Sequence, residues 1–339
     1  MPRRYRNLLV LVGLLLSMVS IPRDAWAYQT YTLTANRVRV PGPYSDYPPL
    51  ITTPARSWAA GETHTVTAFL KASAQVKYSG ARMLVAARVR CGDDTVGVQT
   101  TQNHLGTGGV TVVQLNYIWT APSSGTYSCY LDGRTEQAGG THVSTDQITV
   151  QGGASNTYLL FSDGNYTDGK KWALENSCAT PNRCYSSTES KWDGTIHIGS
   201  GMPVGTSEYV LHSLAWIPKS SATYVIARAD AQLTVCNYGT GSCPSSRWGP
   251  QSLSGSGSSG TYYMVSTQGT CAPVTQEVKS YSISYGEHHK KIFGVLPSIP
   301  ISSSCARSFV FKLYVSASSS LNPVQVHASS YSIGLAVGG

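Results

Sequence analysis

From Tyr28 onward, apolar side chains recur at every second position in short runs, and no window sustains an apolar spacing of 3.6 residues. Alternation of this kind, rich in β-branched and aromatic residues, predicts strands that turn one face to a core. In the first half the predicted strands are 31–40, 64–72, 82–90, 96–101, 110–120, 126–131 and 144–150. Between them lie clusters that cannot continue a ladder, among them Pro41-Gly42-Pro43, Cys91-Gly92-Asp93-Asp94 and Pro122-Ser123-Ser124-Gly125. The second half offers 158–161, 196–198, 208–217, 223–236, 261–267, 278–285, 308–316 and 324–337. Its loops are longer, notably 163–192 and the serine- and glycine-rich 252–260. The inventory predicts an all-β protein of two tandem β-sandwich domains over 28–150 and 156–339, joined by the linker Gln151-Gly152-Gly153-Ala154-Ser155.

Two stretches suggest that one sandwich is an internal duplication of the other. The run from Gly61-Glu62-Thr63-His64 to Cys91 parallels that from Gly205-Thr206-Ser207-Glu208 to Cys236, with Glu-to-Cys separations of 29 and 28. His142 to Ile148 likewise parallels His327 to Ile333, and Tyr31-Thr32-Leu33 parallels Tyr158-Leu159-Leu160. In the first half, Ala121-Pro122-Ser123-Ser124-Gly125-Thr126-Tyr127-Ser128-Cys129 resembles the entry to the penultimate strand of immunoglobulin-like domains. The resemblance implies an immunoglobulin-like or jelly-roll-like sandwich in which the Tyr127 hydroxyl bonds back to the backbone and Trp119 is a core aromatic. The chain also resembles strands of secreted bacterial β proteins, a likeness that implies no activity.

Residues 1–27 have the layout of a secretory signal: three arginines before Asn7, an apolar run from Leu8 to Ile21, and Ala25-Trp26-Ala27 at the cleavage position. Fourteen residues rise about 21 Å as a helix, short of a bilayer core of roughly 30 Å. The expectation is therefore a secreted, extracellular protein with no membrane anchor once the signal is removed. All eight cysteines, Cys91, Cys129, Cys178, Cys184, Cys236, Cys243, Cys271 and Cys305, follow the signal. In an oxidising compartment an even number predicts disulfides. Locality favours Cys91 with Cys129, Cys178 with Cys184, Cys236 with Cys243, and Cys271 with Cys305.

Composition narrows the function classes. Only 12% of the residues are charged, which excludes coiled coils and charge-laced bundles. Removing the signal leaves 21 basic against 16 acidic residues, with no run of Lys or Arg longer than two, too dilute for a nucleic-acid footprint. There is no Gly-x-Ser-x-Gly elbow for a serine hydrolase, and no spacing singles out a pair of glycosidase carboxylates. Glu287-His288-His289-Lys290-Lys291 is the densest ionisable cluster and reads as a hydrated turn. Asp163, Asn165 and Asp168 place oxygen ligands as a calcium loop does, but glycine and glutamate miss the EF-hand register by one, so an Asx-rich turn is the simpler reading and no cofactor is expected.

The remaining signal is aromatic. Trp172, Trp192 and Trp248 sit beside polar residues in predicted loops of the second half, where exposed rings on a rigid scaffold can face a sugar or another polymer. The sequence thus points to a non-catalytic extracellular binding or surface-associated protein, with carbohydrate or a cell-surface polymer as partner and these three tryptophans as contacts. The alternative is a secreted polysaccharide hydrolase or lyase drawing its acids from the long loops.

Overall fold

The computed structural model describes residues 28–39, 49–74, 83–94, 97–104, 109–137, 147–162, 166–174, 205–235, 258–283, 289–317, 324–327 and 329–339. Every regular element among them is a strand. The first sandwich contains β1 (Tyr28–Thr32), β2 (Arg37–Arg39), β3 (Ile51–Thr52), β4 (Arg56–Trp58), β5 (Thr63–Ala74), β6 (Met83–Cys91), β7 (Val98–His104), β8 (Val110–Thr120), β9 (Gly125–Tyr127), β10 (Cys129–Gln137), β11 (Ile148–Val150) and β12 (Tyr158–Ser162). The second contains β13 (Asp168–Leu174), β14 (Gly205–Trp216), β15 (Tyr224–Val235), β16 (Ser258–Gln268), β17 (Val274–Thr275), β18 (Lys279–Ile283), β19 (His289–Pro300), β20 (Phe309–Ala317), β21 (Val324–His327) and β22 (Ser329–Gly338).

Several of these are fragments of one longer strand: β1 with β2, β3 with β4, β9 with β10, β11 with β12, β17 with β18, and β21 with β22. Counted as strand positions, both sandwiches have the same order, 1-8-3-6 in one sheet and 2-7-4-5 in the other. This is the arrangement of a double-sheet jelly roll, and it differs from the ABED and CFG sheets of immunoglobulin domains. The resemblance at Tyr127 holds locally, since its hydroxyl donates to the Ser123 carbonyl at 3.1 Å and Trp119 is buried against it.

The repeat of strand order does not follow the sequence parallels throughout. The stretch from Gly61 to Cys91 spans positions 3 and 4 of the first sandwich, whereas that from Gly205 to Cys236 spans positions 2 and 3 of the second. The closing parallel at Ile148 and Ile333 does join position 8 to position 8. The expected linker is also corrected. Strand β12, assigned by its sequence to the second half, pairs with β1 and β5 in the first sandwich. Residues 151–157 form a bulged interruption facing a matching one at Leu33 to Asn36. There the Leu33 amide donates to the Thr157 carbonyl at 3.0 Å and the Gly153 amide to the Leu33 carbonyl at 2.7 Å. Gly153 has φ of 107°, and a Cβ on Gly152 would fall 2.7 Å from the Ala35 backbone, so these glycines serve a close crossing inside a sheet.

Alternation builds the cores. On β5, Val66, Ala68, Leu70 and Ala72 face the first core, opposite Val85, Ala87 and Val89 of β6, while Thr67, Phe69 and Lys71 point outward. Cys91 and Cys129 are direct cross-strand partners and form a disulfide, as do Cys271 and Cys305. Residues 1–27, Cys178, Cys184, Cys236 and Cys243 lie outside the described residues. The second core joins Val225, Ala227, Ala229, Ala231 and Leu233 of β15 to Phe309, Phe311, Leu313 and Val315 of β20. Each fully buried Leu, Val or Phe contributes about 1.5–3 kcal/mol relative to exposure.

The opposite stripe of β15, Ile226, Arg228, Asp230 and Gln232, looks like a solvent face but is covered by the first sandwich. Arg228 donates to the Asn116 side chain at 3.1 Å, and the Gln232 carbonyl oxygen accepts from the Thr100 hydroxyl at 2.8 Å and the Thr101 amide at 2.9 Å. The Asp230 carboxylate meets Lys291 Nζ at 2.8 Å and accepts the Ile333 amide at 3.2 Å. From β22, Ile333, Leu335 and Val337 enter the first core while Ala336 belongs to the second. The second sandwich thereby caps β7 and β8, the edge strands of the first, which would otherwise present open backbone.

A further clasp crosses the seam at Asp94. Its Oδ2 accepts Lys171 Nζ at 2.6 Å and the Tyr117 hydroxyl at 2.7 Å, and its Oδ1 accepts the Gly97 amide at 2.8 Å. Burial pushes this carboxyl up, but the lysine and the hydrogen bonds outweigh it and hold the group below its ordinary range. Such a group stabilises the fold above the ordinary aspartate value of about 3.9 and loses that contribution as pH falls through its depressed value. Asp94→Asn is therefore expected to cost about 1–2 kcal/mol at neutral pH, a loss that shrinks in acid. Urea denaturation at the two pH values reads the difference, and an equal loss at both would contradict it.

Candidate binding surface

Three sheet edges converge beside the seam: β7, β8 and β19. Beside this convergence the start of β8 is left open, in a cleft of about 360 Å³. Its walls are Thr100 and Gln102 of β7, Val110 to Gln114 of β8, and Lys290, Lys291 and Phe293 of β19. Val110 is 55% exposed and Val112 48%.

The cleft opens onto the outer face of the sheet that contains β5. In register across that face lie Val112 opposite Lys71, and Gln114 opposite Phe69 opposite Tyr158. The rings of Phe69 and Tyr158 stack at 5.2 Å with an interplanar angle of 11°. Lys71 Nζ donates to the side-chain Oδ1 of Asn156 at 3.2 Å, a neutral partner. The surface therefore offers a ring pair, amides and hydroxyls that donate and accept, and ammonium groups. None of the described cleft-lining residues is a carboxylic acid.

A second ionisable cluster sits at the other end of β5. Glu62 Oε1 lies 2.6 Å from His64 Nε2 and 3.0 Å from Arg56, whose guanidinium stands over the rings of Trp58 and Phe161 at 4.7 and 5.2 Å. Burial raises the Glu62 carboxyl, but the Ala59 amide, His64 and Arg56 outweigh it and hold it below the ordinary range. With His64 enclosed between Trp58 and Phe161, this cluster closes the end of the sandwich.

Of the residues proposed from sequence, Trp172 and Asp168 are among those described. Trp172 lies in β13, not in a loop, and packs half-buried on the second core. Trp192 and Trp248 lie outside the described residues, as do Asp163 and Asn165. Asp168 opens β13, and its carboxylate accepts the Lys219 amide at 3.0 Å and the Thr167 hydroxyl at 3.3 Å. Of the cluster read as a hydrated turn, Glu287 and His288 lie outside the described residues, whereas His289 to Lys291 begin β19 and Lys291 is buried in its ion pair. The cleft itself escaped the sequence reading because its walls come from three separate strands. One signal was present: Tyr117-Ile118-Trp119 is apolar on both faces, the mark of a strand covered on both sides.

No family model matches the sequence, and no curated protein is similar to it. Among solved structures, the chain is similar to a chain of the cowpea mosaic virus top component, its naturally occurring empty particles. The identity is 9%, with 95% of each chain covered and a TM-score of 0.24. It is also similar to the CBM22-1–CBM22-2 tandem domain of Paenibacillus barcinonensis Xyn10C, at 10% identity over 88% of this chain and 93% of that one, with a TM-score of 0.23. Likenesses at this level carry no functional weight.

Proposed function

We propose that the protein is an extracellular, non-catalytic carbohydrate-binding protein whose ligand lies across Phe69 and Tyr158 and runs into the cleft between β8 and β19. The supporting observation is the continuity of the ring pair with a polar cleft whose described lining residues include no carboxylate. A sugar ring has an apolar face that stacks on an aromatic and an equator of hydroxyls that bond to amides, and the surface supplies both. The disulfides Cys91–Cys129 and Cys271–Cys305 suit an oxidising compartment outside the cell.

Retention on insoluble glycans and cell-wall preparations tests this reading. The doubly substituted Phe69→Ala, Tyr158→Ala protein is expected to bind about tenfold more weakly, with no reducing ends released by either form. Release of reducing sugar would replace the binding reading with the hydrolase, and unchanged retention would move the ligand off this face.

A further inference from the structure

We infer that the protein carries a second carbohydrate-binding face, built on Tyr263 and Tyr314 of the second sandwich, and that it joins two glycan chains, one on each face. The inference rests on the carbohydrate reading above and adds a site to it. Tyr263 of β16 and Tyr314 of β20 are direct cross-strand partners, and their rings stack at 5.0 Å with an interplanar angle of 7°. Both are half-buried, as Phe69 and Tyr158 are, and that first pair stacks at 5.2 Å and 11°. On β20, Phe309, Phe311, Leu313 and Val315 fill the second core, so alternation turns Lys312 and Tyr314 to the outer side of the sheet.

The surroundings of the two ring pairs match row by row. One row along from Phe69, Lys71 stands opposite Val112; one row along from Tyr314, Lys312 stands opposite Val265. On the other side of the rings each face carries hydroxyls, from Thr67 in the first sandwich and from Thr261 and Ser316, 2.7 Å apart, in the second. Each face thus sets aromatic carbon for the apolar side of a sugar between polar groups for its hydroxyls, on paired strands that fix their spacing. The same set of groups in the same order selects the same class of ligand.

One short ligand cannot reach both faces. The second sandwich meets the first through β15, β19 and β22, whereas β16 and β20 belong to its other sheet, about 10 Å further out across the second core. Two faces turned in different directions engage two chains, and on an insoluble glycan the second contact follows the first within one complex, which raises retention above that of either face alone.

Retention of the full-length protein on insoluble cellulose, xylan, chitin and a cell-wall preparation is measured beside its power to clump suspended particles of the same polymers. Tyr263→Leu with Tyr314→Leu keeps an apolar pair across the strands and removes the rings. On the polymer that retains the protein, this variant is expected to bind about tenfold more weakly and to stop clumping the particles. Tyr263→Phe with Tyr314→Phe keeps the rings and should stay within about threefold of the starting protein. Titration of the unsubstituted protein with hexasaccharides cut from the retaining polymer counts the faces without any variant, and two per chain are expected. A single site per chain, or undiminished retention and clumping by the leucine variant, would overturn the second face and leave binding on the first standing. Retention on none of the four polymers would overturn both.

Discussion

Asp230→Ala is expected to lower the stability of the protein by about 3–5 kcal/mol at neutral pH, because it strands the ammonium of Lys291 inside the seam. The two side chains are 3% and 7% exposed and 2.8 Å apart. Burial raises the Asp230 carboxyl and lowers the Lys291 ammonium, in each case against the attraction between them, so desolvation dominates this pair. Two consequences follow from that sign. A carboxyl raised on folding adds stability in acid and loses it as pH rises through its folded value, the reverse of Asp94. In addition, removing both charges is expected to restore most of what removing one destroys. Asp230→Asn keeps an oxygen for the Ile333 amide, and Lys291→Met fills the space of the lysine stem, so the pair of substitutions returns stability to within about 1 kcal/mol of the starting protein or above it. Urea denaturation of the single and double variants decides; a double variant as weak as Asp230→Ala would mean that the seam depends on the charges themselves.

That ion pair also shows where sequence reading stops. Alternation along β5 and β15 identifies strands because a core on one face imposes a period of two. The cross-strand disulfide at Cys91 and Cys129 was legible for a related reason, as neighbouring strands of a sandwich bring locally spaced cysteines together. The same rule assigns Arg228, Asp230 and Gln232 to water, since polar groups on the far face of a strand are normally solvated. Here each finds its partner on another element, Asn116, Lys291 or the edge of β7, and pairings more than 60 residues apart in the chain leave no local trace. The glycines at 152 and 153 have the composition of a linker, yet a sheet whose two strands are interrupted side by side needs small residues for the same steric reason. The candidate surface lies within this blind zone: Phe69 and Tyr158 are outward residues of ordinary strands, and only the register of β5 with β12 makes them a pair.

Trp172 provides the sharpest contrast between a ring that packs and a ring that binds. A Cβ added to Gly334 would stand 1.9 Å from the indole of Trp172, so the glycine exists as the space into which the indole fits. Across the second core the indole stacks toward Phe311 of the facing sheet, at 6.4 Å between centroids and 22° between planes. Trp172→Ala is therefore expected to cost about 2–4 kcal/mol, below the value for a fully buried tryptophan because the residue is only half-buried. Gly334→Ala should destabilise by about 1–3 kcal/mol through the clash alone. Carbohydrate retention per folded molecule should be untouched in both. Replacement of Phe69 and Tyr158 should show the opposite signature, with thermal midpoints shifted little and retention lost, because a half-buried pair on an outer face contributes less to folding than it presents to a ligand. A Trp172→Ala protein that melts normally and fails to hold glycan would place that ring in the ligand contact and displace the surface proposed on β5, β8 and β12.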